Sequence, residues 1–349
     1  MPRLKFALPA LLAVLLGGFL LFSEYSDRVT PAVSAPAPAP SPAGFSADRS
    51  AKILALGDVM FGRNVRVLME RDGGDYPFRQ IGNDLQSYDA VIANLEGPAA
   101  ENATRTPMNS MRFVFASQTI GELRRAGVTA VSLANNHAWD YGEAGFSETE
   151  RILRDQGLEF FGQPGPAQDT TVWPKTISGQ SFQFLAWNAT GSGFDAARAG
   201  ETVAAVRRAN PASAIWVSMH WGEEYQPQSG TDQEKLARLL VDRGADIVIG
   251  HHPHVAQEIE IYKNRPIFYS LGNFVFDQYF SQETEEGLAV AIERSAVSTT
   301  FRLLPWDLNH SQPKPMLSPD RERFLKDLAS RSAPELKESI LAGRFTLTN

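Results

Sequence analysis

The run Gly250-His251-His252-Pro253-His254 is the densest set of potential metal ligands in the chain. His252 and His254 are one residue apart, so a loop can turn both imidazoles into one cavity, and Pro253 stiffens that turn. The chain has six histidines, and five of them (His137, His220, His251, His252 and His254) follow apolar runs that read as β-strands. Acids and amides stand at comparable places: Asp58 after Lys52–Leu56, Glu96 after Tyr88–Ala93, and Asn135-Asn136 after Val128–Ala134. Neutral imidazole suits transition metals, whereas carboxylate and amide oxygens suit harder ions. The mixed set therefore predicts one or two divalent ions of the manganese, iron or zinc kind. Taken singly, each residue has a plainer reading. Gly57-Asp58 is a common turn, His220 fits a hydrogen-bonded core histidine, and a surface histidine run binds metal adventitiously. The set, and not any one member, points to a site.

The elements that must position these groups alternate between strand and helix. Further strands are expected over Phe182–Trp187, Ala214–Met219, Asp246–Ile249, Ile267–Leu271, Gly287–Glu293 and Thr299–Leu304. Helices are expected over Ser117–Ala126, Ser147–Gln156 and Arg321–Ser330. A fourth follows Thr231-Asp232-Gln233-Glu234, read as a capping box, with Leu236, Leu239 and Leu240 on its buried face. This is an α/β pattern. In open α/β sheets the functional crevice lies at the carboxyl ends of the strands, which is where Asp58, Glu96, Asn136, His137, His220, His252 and His254 would gather.

The 349 residues suffice for one large α/β domain. A net charge of -7 and a pI near 5.5 argue against a nucleic-acid partner. With no cysteine, the chain has no disulfides, thiolate zinc sites, cysteine nucleophile or lipobox. No Gly-x-x-x-x-Gly-Lys-Ser/Thr loop for ATP is present. At the N-terminus Arg3 and Lys5 precede the apolar run Phe6–Phe22, and Glu24 and Asp27 follow it. That charge order places the N-terminus inside and the rest of the chain outside the cytoplasm. The run reads as an uncleaved inner-membrane anchor in preference to a cleaved signal. The expected organisation is an anchor over 1–28, a Pro/Ala-rich extended spacer over 29–50, a domain over 51–305 and a C-terminal extension over 306–349.

In family order, the segments LALGDVMFGRNV (54–65), ANLEGP (93–98), SLANNHAWDYG (132–142), HWGEEY (220–225), GADIVIGHHPHVAQ (244–257) and YSLGNFVFDQ (269–278) resemble the CapA family. These are poly-γ-glutamate capsule synthesis proteins of the calcineurin-like metallophosphatase superfamily. The resemblance implies a layered α/β/β/α sandwich with a metal site at one edge. It makes Asp58 a ligand of a first metal, Glu96 a bridging carboxylate, and Asn136 and His220 ligands of a second, with His252 beside them. His254 returns to the first, and His137 protonates a leaving group or holds phosphate. The superfamily's Asp-x-His is broken here, because Met60 stands at the histidine position. Asn135, Trp139, Asp140, Glu224, His251, Asn273 and Asp277 are candidates for substrate contact or for supporting the ligands. Asp140 or Asp277 would orient an imidazole. Arg63 and Arg112 read as surface charges able to hold an anion. Two functions follow: hydrolysis of a phosphoester in the envelope, or binding of an anionic polymer such as poly-γ-glutamate beside other capsule-synthesis membrane proteins.

Overall fold

The computed structural model describes residues 50–81, 84–164, 172–191 and 193–349. The expected anchor, and all but the last residue of the expected spacer, lie outside them. No helix among the described residues is long and apolar enough to cross a membrane.

Two sheets carry the fold. In spatial order the larger runs Lys314–Pro315, Ser298–Asp307, Glu286–Arg294, Ala51–Val59, Ala90–Leu95, Ala130–Ser132 and Glu159–Phe161. Asn273–Val275 also pairs with Ala51–Val59, and Arg344–Thr348 with Ser298–Asp307. The smaller sheet runs Ile259–Tyr262, Arg265–Phe268, Ile247–His251, Ala214–His220, Gln180–Asn188 and Trp173–Ile177. The central strands of both sheets are parallel.

Strand periodicity explains why the sheets stack. Along Ala51–Val59, Ile53 and Ala55 join the core between the sheets, while Leu54 and Leu56 face the other way. In the smaller sheet Phe184, Trp216 and Ile249 face the shared core, and Leu185, Val217 and Val248 the outer layer. A sheet buried on both faces reads as a continuous apolar run, as AIWVSMH does at 214–220. Helices Arg63–Asp72, Ser117–Ala126 and Gly142–Asp155 cover the larger sheet through Val65, Leu123 and Ile152. Helices Ala196–Ala209 and Thr231–Asp242 cover the smaller one through Val203 and Leu240. The result is helices, sheet, sheet, helices.

Several local expectations change. The first strand runs on to Val59, so Asp58 lies within it and not after it. Helices Arg63–Asp72 and Ala196–Ala209 were not anticipated. Gly230, not Thr231, is the helix N-cap, and its N–H donates to the Gln233 side chain at 2.9 Å. The 306–349 segment, read as an extension, packs into the inter-sheet core through Phe324, Leu328, Ile340 and Phe345, and the strand Ser298–Asp307 crosses its expected start.

Two glycines allow the close approaches at the functional edge. A Cβ on Gly57 would lie 2.0 Å from the Gly272 carbonyl oxygen, and one on Gly250 1.9 Å from that of Tyr269. Both clashes are with backbone, which cannot swing aside. Gly57 lets Asn273–Val275 lie against the first strand with Asn273 opposite Asp58.

Leu328 is fully buried in the inter-sheet core. Its replacement by Ala is expected to cost about 2–5 kcal/mol, measured by denaturant unfolding of the full chain. A cost under about 1 kcal/mol would show that the helix carrying it, Asp320–Arg331, packs only loosely.

Candidate metal centre

The parallel strands of both sheets end at one edge. The larger sheet delivers Asp58, Asn94 and Glu96, and then the loop carrying Asn135, Asn136 and His137. The smaller sheet delivers His220 and His251, followed by His252 and His254. Asp58 and Glu96 are fully buried, and His220, His252 and His254 nearly so. Two groups lie close enough to hold an ion, with their ligand atoms within 4.8 Å of one another: Asp58, Glu96 and His220, and Glu224, His252 and His254.

The donor set fits a cation. Glu96 Oε1 and His252 Nδ1 are buried without a hydrogen-bond partner, and native proteins rarely leave such atoms bare. The histidine loop is held in unusual backbone conformations, with φ of 97° at His252 and 59° at His254. Non-glycine residues reach that region only where the surroundings enforce it. The His252 N–H donates to Asp58 Oδ2 at 3.3 Å, and the Tyr225 N–H to the Pro253 carbonyl at 2.8 Å.

Neighbouring amides fix the rings. Asn273 Nδ2 donates to Gln278 Oε1 and to the Thr284 carbonyl, both at 3.0 Å, so its oxygen must face His254. His254 Nδ1 lies 3.0 Å from that oxygen and donates to it. Nε2 is thereby left as the ring nitrogen that could meet an ion, 3.6 Å from Glu96 Oε1. His220 Nε2 lies 2.7 Å from Asn136 Oδ1, so two residues expected as co-ligands are bonded to each other. His251 Nδ1 lies 3.1 Å from Asp58 Oδ1, off the line of a hydrogen bond. Met60 does not reach for the site; it belongs to the core under the helices, where its sulfur accepts from the Gly62 N–H at 2.8 Å.

The supporting residues divide. Asp140 Oδ2 lies 2.9 Å from His137 Nδ1, so this acid does orient an imidazole. Asp277 does not: it binds the Arg63 guanidinium and accepts from the Asn64 N–H at 3.0 Å. Asn135 is a staple, donating to Asn94 Oδ1 and the Leu95 carbonyl and accepting from the His137 N–H. Trp139 is 49% exposed on the rim. Arg112 is exposed and donates to the Asp140 carbonyl.

Sequence reasoning missed Asn94 and misplaced Arg63. Asn94 Nδ2 lies 2.8 Å from Asp58 Oδ1 and 3.4 Å from both Glu96 Oε2 and His220 Nδ1. The available signal was its position two residues before Glu96, on the same face of a strand. Arg63 is no surface charge: its side chain is 13% exposed and lies over the rings of Phe113 and Phe276. Phe113 packs against His137 at 4.1 Å and Phe276 against His254 at 4.7 Å between centroids, both tilted. Nothing in the sequence marks that wall.

Electrostatics follow burial. Burial opposes charge on Asp58, yet His251 and His254 hold its carboxyl well below the ordinary range. Burial drives Glu96 well above it. Burial, aided by nearby imidazoles, lowers His220 and takes His252 down to about 4, so both rings are neutral at neutral pH and could offer a lone pair to an ion. For His254, burial is outweighed by Glu96 and Asp58, which raise it to about 9. A cation reaching His254 Nε2 must displace that proton. Below about pH 9, apparent Mn2+ affinity is therefore expected to fall at least about tenfold per pH unit, read by Mn2+ titration between about pH 8 and about pH 6. A flat profile would mean the ion does not meet His254.

Residues 52–278 match the family of the bacterial capsule synthesis protein PGA_cap. The chain is 31% identical over 300 residues to the capsule biosynthesis protein CapA of Bacillus anthracis, covering 78% of this chain and 71% of that one. It is 30% identical over 278 residues to the PGA biosynthesis protein CapA of Bacillus subtilis, covering 75% and 72%. A probable polyglutamine synthesis accessory protein of Mycobacterium tuberculosis is 29% identical over 169 residues, covering 42% and 44%. A match spanning residues 52–278, together with relatives about 30% identical over most of the chain, makes this chain a CapA-like member of the PGA_cap family of bacterial capsule synthesis proteins.

Proposed function

We propose that this is an envelope protein whose strand-end cluster holds one or two divalent ions and hydrolyses a phosphoester in the synthesis or export of an anionic capsule polymer such as poly-γ-glutamate. The observation that carries this reading is the pair of ligand groups drawn from both sheets, with Glu96 Oε1 and His252 Nδ1 buried and unpartnered between them. The four-layered sandwich fits the metallophosphatase type. The expected N-terminal anchor and the family name support the envelope location.

When bound, divalent ions would activate water and neutralise developing charge on phosphorus. Asp58, Glu96, His220, His252 and His254 would hold them, with Glu224 at the open side. His137 is placed to move a proton. Asp140 holds its Nδ1, and its Nε2 has no protein partner among the described residues, so it is free for a leaving oxygen. Arg63, fixed by Asp277, faces the same edge with a permanent charge and would hold an anionic oxygen of the substrate.

The second reading is a non-catalytic component that grips polymer carboxylates through bound metal, favoured by the names of the relatives. The full chain, purified without a histidine tag, is expected to retain metal and to turn over an aryl phosphate with added Mn2+. His252→Ala should lose metal and stay folded. Metal below a tenth of an equivalent in the parent protein would overturn the ligand assignment. Full metal with polyglutamate binding but no turnover would select the second reading.

Asp140→Asn is expected to keep metal and lower kcat about tenfold to a hundredfold, because the imidazolium loses its partner. An unchanged kcat would remove His137 from the proton path.

A further inference from the structure

We infer that the pole opposite the candidate metal centre carries a separate anion site, built on Arg294 and Arg265, which takes a phosphate group. A cavity of about 500 Å³ opens there between the ends of the two sheets. Ala214, Ile247 and Arg265 line it at the starts of their parallel strands, whereas His220 and His251 end theirs at the metal edge. The seven residues of Ala214–His220 span roughly 20 Å, so the two sites do not overlap. The larger sheet contributes Arg294 and Thr299.

The charges in this cavity do not balance. Lys263 pairs with Asp242 at 2.5 Å, and the two cancel. Three guanidinia then face a single side-chain carboxylate, Asp246. Arg207 binds it and gives its other donors to the carbonyls of Gly244, Pro211 and Ser213. Arg265 Nη2 lies 3.2 Å from Asp246 Oδ1, and the Ile215 N–H takes a further bond to Oδ2 at 2.8 Å. Asp246 attracts Arg294 through space but makes no direct ion pair with it. The Arg294 guanidinium is half-buried and has no ion pair or hydrogen-bond acceptor among the described residues. Asn349, the last residue of the sequence, lines the cavity but makes no ion pair with it. Burial lowers the Arg294 pKa; Asp246 opposes that shift, and repulsion from Arg265 and Arg207 adds to it; arginine nonetheless stays charged in proteins.

A partly desolvated charge without a partner is costly. An entering anion relieves that cost and satisfies two planar donor forks, for which phosphate is the matching shape. The phosphate has two conceivable sources. Ala51, where the first strand starts, pairs with Arg294 and so lies at this pole. A lipid headgroup is thus one source, and free phosphate the other.

The test uses the full chain in detergent with divalent ions chelated, so that the metal edge cannot hold phosphate. Inorganic phosphate and glycerophosphoglycerol are titrated by calorimetry. Binding of at least one is expected, weakened about tenfold or more in Arg294→Gln and less in Arg294→Lys. Preference for the diester assigns a lipid headgroup, and preference for the inorganic ion a free phosphate. Because the Arg294 guanidinium makes no hydrogen bond or ion pair among the described residues, Arg294→Gln should match or exceed the parent's Tm without ligand, yet lose the rise in Tm that ligand gives the parent. Absence of binding in the parent overturns the inference. So does equal binding by Arg294→Gln, or a lower ligand-free Tm with unchanged binding.

Discussion

A carboxylate without solvent contact has to be neutralised by protein, and at Asp58 the neutralising groups come from both sheets. Asn94 reaches it from the neighbouring strand of its own sheet, at 2.8 Å. The His252 N–H, His251 Nδ1 and His254 Nδ1 reach it from the other sheet, at 3.3, 3.1 and 3.5 Å. The histidine loop therefore cannot relax to ordinary φ values without abandoning a buried charge. Gly57 and Gly250 are the backbone side of the same bargain, since any side chain at either would force apart strands that must approach closely.

Around that carboxylate the edge sorts polar groups by task. Glu96, His220, His252 and His254 present atoms inward. Asn273, Asn136 and Asp140 hold rings in place, and Asn94 and Asn135 tie the strand ends together. Arg63 lies over the rings of Phe113 and Phe276, which in turn pack against His137 and His254, so its charge stands close to the edge. Burial then splits the histidines: His220 and His252 favour the neutral form, while His254, lying between two carboxylates, keeps a proton.

Much of this was legible in the sequence because parallel strands buried on both faces stand out as apolar runs, and polar residues at their ends have few structural reasons to be there. Ser117–Ala126 and the strand beginning at Ala214 are found where the pattern put them. Amphipathic helices without strong boundary signals were harder. Arg63–Asp72 begins after a glycine, with no side-chain cap and no acid in its first turn. The partners of Asp277 and Arg63 were beyond reach, because they join residues 214 positions apart and chain spacing says nothing about such a pair. Arg294 was equally hidden: its lack of a partner is a property of the assembled cavity and of no local motif.

Because Asp58 and Glu96 belong to one sheet and His220, His252 and His254 to the other, an ion held by both sets would be a rivet through the sandwich. Separating the layers would then require releasing the ion, so resistance to unfolding would rise with the logarithm of free metal concentration. Protein of this kind would live longer in metal-replete surroundings and be cleared sooner in metal-poor ones. Its abundance would thus track metal supply with no dedicated sensor.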